Sequence, residues 1–315
     1  MMIRKIGEIA VMVIILSIYT TPRAENPVKP KLNFTPGTNY LCSMEMSKRV
    51  KQTIEGEEQR MEQNLLLVWD YNILSKNDAG NYEISARYAR IKSSQRFGMQ
   101  KVEFDSENMP DYIDPSMIGY KILAGSEITM EVTSEGKVKR LDGFQEIIDK
   151  IIDELNIPDS RQRNEIIDGL RKQFGDEAMR QSFEQMTAFY PDSPVDTGDS
   201  WHAETAMDVG FPVTVETDYT MLSRKDGIAD IDVVSMVRSN LNSEGIDMGL
   251  FSLSYNIEGD QRGLIKMDEV SGLPVRSDIR LKFSGTVEVS GAPDLEEKSW
   301  PISTEGQVII TFDRQ

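Results

Sequence analysis

Two stretches of this chain open on the same punctuation and then alternate apolar and polar residues at a period of two. Thr35-Pro36-Gly37-Thr38-Asn39-Tyr40 begins the first, and Asp196-Thr197-Gly198-Asp199-Ser200-Trp201 begins the second. A Gly three residues before an aromatic marks a turn that launches a strand. After Gly37, Tyr40, Cys42, Met44 and Met46 fall on one face, and Leu41, Ser43, Glu45 and Ser47 mostly on the other. Strands patterned this way and joined by short turns predict antiparallel pairing.

The first stretch continues through Leu65 to Leu74, apolar on both faces at its start and so central in a sheet. Asn77-Asp78-Ala79-Gly80 turns the chain, and Tyr82, Ile84, Ala86 and Tyr88 resume the alternation. Val102 and Phe104 suggest a short strand, and Pro110 and Pro115 delimit a loop. Ile128, Met130 and Val132 form the next strand before the turn Ser134-Glu135-Gly136. Then the period changes. Phe144, Ile147, Ile148, Ile151, Ile152 and Leu155 make one apolar stripe at helical spacing. Pro158 ends that helix. A second is expected from Asp159 or Ser160, burying Ile166, Ile167, Leu170 and Phe174 and stopping at Gly175. A third, capped by Asp176, would turn Met179, Phe183, Met186 and Tyr190 inward. Alternation returns at Val213 and runs to Phe312.

The expected architecture is α+β, mainly β, with curved antiparallel sheet or sheets from two β meanders and a three-helix insert between them. The expected boundaries are 1–24 for a signal peptide, 25–33 for a linker and 34–142 for the first β half. The helical insert takes 143–190 and the second β half 191–315, the halves forming one continuous domain. Met130 to Val138 also resembles Met267 to Val275, a strand and turn late in each half. Either a duplication or two independent meanders with shared turn chemistry accounts for that.

The leader reading rests on Arg4 and Lys5 before an uncharged apolar run from Ile9 to Tyr19, with Ala24 as the cleavage point. That run is shorter than the ~20 residues a membrane span needs. An exported protein, periplasmic or extracellular, is expected, with no integral membrane segment once the leader is removed. The formal charge of −17 argues against a nucleic-acid partner and against docking on anionic lipid surfaces. The single cysteine, Cys42, reads as a buried strand residue.

The residues carry little recognisable chemistry. The single histidine, His202, neighbours Ser200 and Asp199 on a strand, where successive side chains point to opposite faces, so the three do not make a triad. One His and one Cys exclude a zinc ligand set without carboxylates. Asp226, Asp230 and Asp232 lack the order of a calcium loop, and no phosphate-binding glycine motif occurs. No catalytic residue, metal or cofactor is expected. The methionines are more telling: there are 17, many at strand positions. Methionine suits surfaces that accommodate varied apolar partners. A curved sheet whose concave face holds a lipid-like molecule, with the 144–155 helix as plug or lid, would use Met44, Met46, Met130, Phe144, Ile148, Ile151, Trp201 and Met221. The bland alternative is that the methionines fill an ordinary core.

Several motifs occur in a fixed order: Gln52-Thr53-Ile54-Glu55-Gly56, Met61-Glu62-Gln63, Phe104-Asp105-Ser106, Gly175-Asp176-Glu177-Ala178-Met179, and Tyr190-Pro191-Asp192-Ser193-Pro194-Val195 leading to Gly198-Asp199-Ser200-Trp201. In this the chain resembles a group of exported bacterial proteins, best known from Bacteroidetes-type bacteria and designated domain of unknown function 6263. The resemblance spans Leu32 to the C-terminus. It implies an envelope address and a common fold, and it brings no activity and no catalytic residues. Some members look like lipoproteins, whereas this chain lacks the lipid-attachment cysteine. The resulting expectation is a non-enzymatic exported envelope protein that binds or carries an apolar ligand such as a lipid, its partner being that molecule or another envelope protein. The alternatives are a structural or protein-interaction module of the envelope and a hydrolase.

Overall fold

The alternation that starts at Tyr40 does not stop at Met46. It runs unbroken to Ile54, turns through Glu55 and Gly56, and returns as a strand of 20 residues. Both turn residues have positive φ, 53° and 84°, the geometry a two-residue hairpin needs to match strand twist. The structure, a computed structural model, describes residues 27–155, 167, 175–207, 213–239, 246–247, 252–290 and 298–315. The expected leader and the second expected helix (159–174) lie outside the described residues, Ile167 excepted.

The first strands are β1 (Asn39–Ile54), β2 (Glu57–Lys76), β3 (Tyr82–Phe97), β4 (Gln100–Asp105), β5 (Glu127–Val132) and β6 (Val138–Asp142). The later ones are β7 (Ser200–Met207), β8 (Val213–Lys225), β9 (Ile228–Ser239), β10 (Ile246–Asp247), β11 (Ser252–Asp268), β12 (Pro274–Ser290) and β13 (Lys298–Arg314). All belong to one antiparallel sheet, ordered β6-β5-β3-β2-β1-β13-β12-β11-β9-β8-β7, with β4 beside β3 and β10 beside β11. This corrects the expectation of two meanders. The first and last strands of the chain pair over thirteen registered positions, Tyr40 with Arg314 through Gln52 with Ile302, and fuse the halves into a single sheet.

Along that sheet the same unit occurs twice. Gly37 N–H donates to Ile73 O at 2.7 Å, and Gly198 N–H to Met221 O at 2.8 Å. Ile73 N–H returns to Thr38 O, and Met221 N–H to Asp199 O. The two glycines have φ of 84° and 90°, open to Gly without strain. In β2 and β8 the register slips by one residue at the matching place, between Ile73 and Ser75 and between Met221 and Ser223. Around each bulge the sequences agree, Asp70-Tyr71-Asn72-Ile73-Leu74-Ser75-Lys76 against Asp218-Tyr219-Thr220-Met221-Leu222-Ser223-Arg224. Even the side-chain bond across the bulge repeats, Ser75 Oγ to Glu83 at 3.2 Å and Ser223 Oγ to Asp230 at 3.0 Å.

Among the described residues the insert holds two short helices, α2 (Phe144–Glu154) and α3 (Asp176–Glu184), at the places of the first and third expected ones. A short α1 (Ile118–Leu123), preceded by a turn of 3-10 helix at Pro115–Met117, follows the loop between Pro110 and Pro115 and had no counterpart in the sequence reading. Asp176 stands at the start of α3, as expected, and its carboxylate also reaches another helix. Its Oδ1 accepts the N–H of Phe144 at 3.1 Å and so caps α2. Burial raises this carboxyl above the ordinary aspartate range, the Phe144 N–H draws it back, and Glu146 and Asp142 push it up again.

The main core fills one end of the curled sheet. Tyr40, Cys42, Trp69, Tyr71, Ile84 and Phe312 meet the extended segment at Leu32 and Phe34, and Phe144 and Phe183 from the insert. Phe34 stands edge-on to Tyr82, ring centroids 5.2 Å apart. A second cluster, built on Tyr219, Met221, Ile231 and Met267, fills the same end of the second unit. The insert seals both. Thr187 Oγ1 donates to Gly136 O, and Tyr190 hydroxyl donates to Gly272 O at 2.7 Å. Gly136 and Gly272 are equivalent turn glycines, each so close to its cover that a Cβ would collide at 2.0–2.1 Å.

Candidate functional site: the inner face of the sheet

Strand periodicity sends every second side chain to the inner face, and the registers line these up in rows across the sheet. One row contains Leu65, Met46, Val308 and Ile279 on β2, β1, β13 and β12. The row two residues further along contains Gln63, Lys48, Gly306 and Leu281, and the next Met61, Val50, Thr304 and Phe283. These side chains are half-buried, whereas the equivalents nearer Tyr40 and Phe312 are buried under the insert. Met46, Val50, Met61, Val308 and Leu281 also join none of the packed clusters. The inner face therefore has a filled end and an apolar end whose side chains are half-buried.

Where filling is incomplete at the closed end, a cavity of about 50 Å³ remains. Its walls come from Tyr40, Tyr71, Ile73, Ile84, Met130, Val132, Val138 and Phe312 on the sheet and Phe183, Met186 and Thr187 from α3 and the turn after it. β5 and β6 line it together with Leu273 and Pro274 next to and at the start of β12, which shows how far the sheet curls. A space this size holds a few waters at most, and an apolar lining keeps it dry.

The eight residues singled out from the sequence do not meet at one point. Met130 lines the cavity. Met44 and Met46 lie on the inner face of β1, Met44 against the main core and Met46 beyond it. Phe144, Ile148 and Ile151 belong to α2, where Phe144 meets Phe183 at 6.4 Å and Ile148 is buried. Trp201 stacks on Tyr219 at 5.5 Å and donates from its indole N–H to Phe189 O at 3.0 Å. Met221 is fully buried in the second cluster. Sequence reasoning missed Lys48, Gln63 and the walls at Phe34, Tyr71 and Phe312. The signal for Lys48 was available, since it continues the face Tyr40, Cys42, Met44, Met46.

Lys48 is the one charged side chain on the inner face of β1, between Met46 and Val50 and opposite Gly306. Burial holds its ammonium below the ordinary lysine range. The outer face is the opposite in character. Arg49 and Lys51 of β1 stand opposite Glu62 and Arg60 of β2, and Lys51 contacts Glu58 at 2.5 Å. His202 pairs with Asp218 at 2.9 Å on the exposed surface, and Ser200 bonds Thr220, so these groups form no triad. Among the described residues no three His, Cys, Asp or Glu side chains cluster as a metal site would require.

A family profile matches residues 79–274, well over half of the chain. The chain belongs to the family of unknown function DUF6263. No curated protein matches. Among solved structures the chain is similar to lipovitellin, described for its lipid–protein interactions, at TM-score 0.47 and 8% identity over 90% of this chain and 26% of that one. It thus spans about a quarter of the lipovitellin chain. An outer membrane channel from Pseudomonas putida F1 matches at TM-score 0.22 and 8% identity, over 90% of this chain and 97% of the channel. The translocator domain of autotransporter NalP from Neisseria meningitidis matches at TM-score 0.22 and 7% identity, over 89% and 90%. This DUF6263 member distributes its side chains differently from a membrane barrel. Such barrels carry apolar side chains outward and polar ones inward, and β1 and β2 here do the reverse. Among the described residues no helix is long and apolar enough to cross a membrane.

Proposed function

We propose that this protein is a non-enzymatic, exported envelope protein that holds an apolar small molecule on the inner face of its curled sheet. The observation that carries this reading is the apolar stretch Met46, Val308, Leu281, Val50 and Met61 on the inner face, half-buried side chains that join none of the packed clusters. A soluble protein seldom leaves such a contiguous apolar surface open unless something occupies it. Export is supported by the basic, then apolar, start of the chain. The cavity lining holds no Ser–His pair and no carboxylate pair, which favours binding over hydrolysis.

The test is native mass spectrometry of the protein purified from its own envelope, together with titration of a neutral apolar fluorophore such as N-phenyl-1-naphthylamine. A co-purifying lipid or saturable fluorescence enhancement is expected. If neither occurs, the carrier reading is wrong and the inner face is ordinary core surface.

A further inference from the structure

The row that contains Lys48 differs from the rows on either side of it. Its side chains are Gln95 on β3, Gln63 on β2, Lys48 on β1 and, past Gly306 and Leu281, Gln261 on β11. It ends in Ser235 and Thr217, whose hydroxyls bond each other at 2.9 Å. A row rich in amides, with one cation, thus crosses the inner face between rows that are mostly apolar. Lys48 makes no ion pair or hydrogen bond with any other described group of the chain, and neither do the amides of Gln63 and Gln95.

Partly burying a cation without a counter-charge is costly. Satisfying it from within would be easy in a chain with 52 carboxylates. The acids of β1 and β2 are instead on the outer face and at the hairpin tip. From the bulge of β2 to that tip, the inward positions of β2 include no acid before Glu57. The arrangement leaves one positive charge, two adjacent amides about 5–10 Å across the strands, and apolar rows above and below. That is the complement of a molecule with one anionic head and an apolar tail.

We infer that the ligand is a long-chain carboxylate, its head held by Lys48 Nζ and the amide of Gln63 and its tail laid over Met46, Leu65 and Val308. The inference rests on the carrier reading and sharpens it. A single cation matches a single carboxylate better than a doubly charged phosphate headgroup. The tail lies on the row next to Lys48 on its core side, Met46, Leu65 and Val308, and stops where Cys42 and Trp69 are buried. In the other direction β1 ends at Ile54.

The experiment titrates the full-length protein with cis-parinaric acid, a fluorescent long-chain carboxylate, and with its methyl ester. The acid is expected to bind at least about tenfold more tightly than the ester, the scale of one charge-assisted hydrogen bond. Lys48→Gln and Lys48→Met should each bring the acid down to the ester while leaving the ester unchanged, and Gln63→Leu should weaken the acid severalfold. Lys48→Met replaces a desolvated ammonium by an apolar chain of similar length, so it folds at least as well as the parent, as unchanged circular dichroism would show. Equal affinity for acid and ester in the parent, or an acid affinity indifferent to Lys48→Met, overturns the inference and leaves the carrier reading standing. Binding of neither probe overturns both.

Discussion

Arg224 ties the opening turn of the second unit to its late turn, and its removal gives a sharp test of how that unit is held. The guanidinium reaches Asp196 Oδ1 at 3.2 Å and Glu269 Oε1 at 2.5 Å. Only 14% of the arginine side chain is exposed, 19% of the glutamate and none of the aspartate. Arg224→Met keeps the apolar stem and removes both contacts. Two charge-assisted hydrogen bonds at about 1.5–3 kcal/mol each give roughly 3–6 kcal/mol. Breaking a buried pair from one side is measured at about 3–5 kcal/mol. Glu269 can rehydrate and Asp196 cannot, which places the expectation at about 3–4 kcal/mol. Urea unfolding followed by tryptophan fluorescence would show it as a lower midpoint at unchanged slope. Adding Asp196→Asn removes the stranded charge, so the double variant should cost at least about 1 kcal/mol less than the sum of the singles. The matching residue of the first unit, Lys76, bonds the Tyr82 hydroxyl at 3.0 Å and lies 4.7 Å over its ring from an exposed position, and Lys76→Met should cost under about 1 kcal/mol. An Arg224→Met cost below about 1 kcal/mol, or strict additivity with Asp196→Asn, would refute the reasoning.

Val138→Leu puts a methylene into the cavity beneath Phe183 and should raise stability by up to about 0.8 kcal/mol, read as a higher urea midpoint. Gly272→Ala meets both a φ of 78° and the carbonyl of Lys31 at 2.1 Å, and strain plus collision should cost about 2 kcal/mol or more in the same unfolding assay. Lys266 at 2.9 Å holds the Asp230 carboxyl below its usual range, burial opposes it and the Ser223 hydroxyl assists. Because the folded pKa is depressed, this stabilisation is complete above the unfolded value of about 3.9 and is lost as pH falls through the folded one. The half-exposed pair contributes under about 1 kcal/mol, so the gap between parent and Asp230→Asn should be constant above the unfolded value of about 3.9 and close as pH falls below it. Cys42, 1% exposed and with its thiol pushed up by burial, should resist an aromatic disulfide reagent at about pH 8 until denaturant opens the core.

How far the molecule is legible in its sequence follows from the range of each signal. Period-two alternation is local, so the strands around Tyr40, Tyr82, Val213 and Phe312 can be placed from the residues alone. Pairing is not local. Nothing near Tyr40 in the chain indicates Arg314, and so one sheet was expected as two meanders. The short helix at Ile118–Leu123 lies too close to Pro110 and Pro115 to develop a full apolar stripe. Asp176 does stand at a helix start, as expected, yet its carboxylate serves a different helix, a contact 32 residues away. The best signal of repetition, Asp-Tyr-x-x-Leu-Ser with Lys or Arg following, is present at Asp70 and Asp218. Its meaning depends on the bulge, which only the register reveals. The site is the least legible part. Methionine content points to adaptable apolar surface, but core and open methionines look alike until Met221 is seen buried and Met46 half-bare.

The repeat has a consequence for where function resides. The hydrogen bonds that recur between the two units, at Gly37 and Gly198, at Ser75 and Ser223, and at Gly136 and Gly272, all lie at the end of the sheet that the insert covers. At that end the two units agree because both must satisfy the same buried turns, and Thr187 and Tyr190 can seal both because the insert lies between them in the chain. At the other end the units diverge. The first sends out the β1–β2 hairpin with Lys48, Gln63 and Met61, and the second bends over inward-facing Gly259 and Gly263, where a Cβ would meet the neighbouring strand's carbonyl at 2.1 Å. A side chain there would force the strands apart and flatten the curl. Conformational constraint thus accumulates at the closed end and chemical individuality at the open one. That is the distribution expected when a scaffold is held by one end and recognises its ligand with the other. Substitutions at the repeated turns should therefore lower stability without changing ligand preference, and substitutions around Lys48 should change ligand preference without lowering stability.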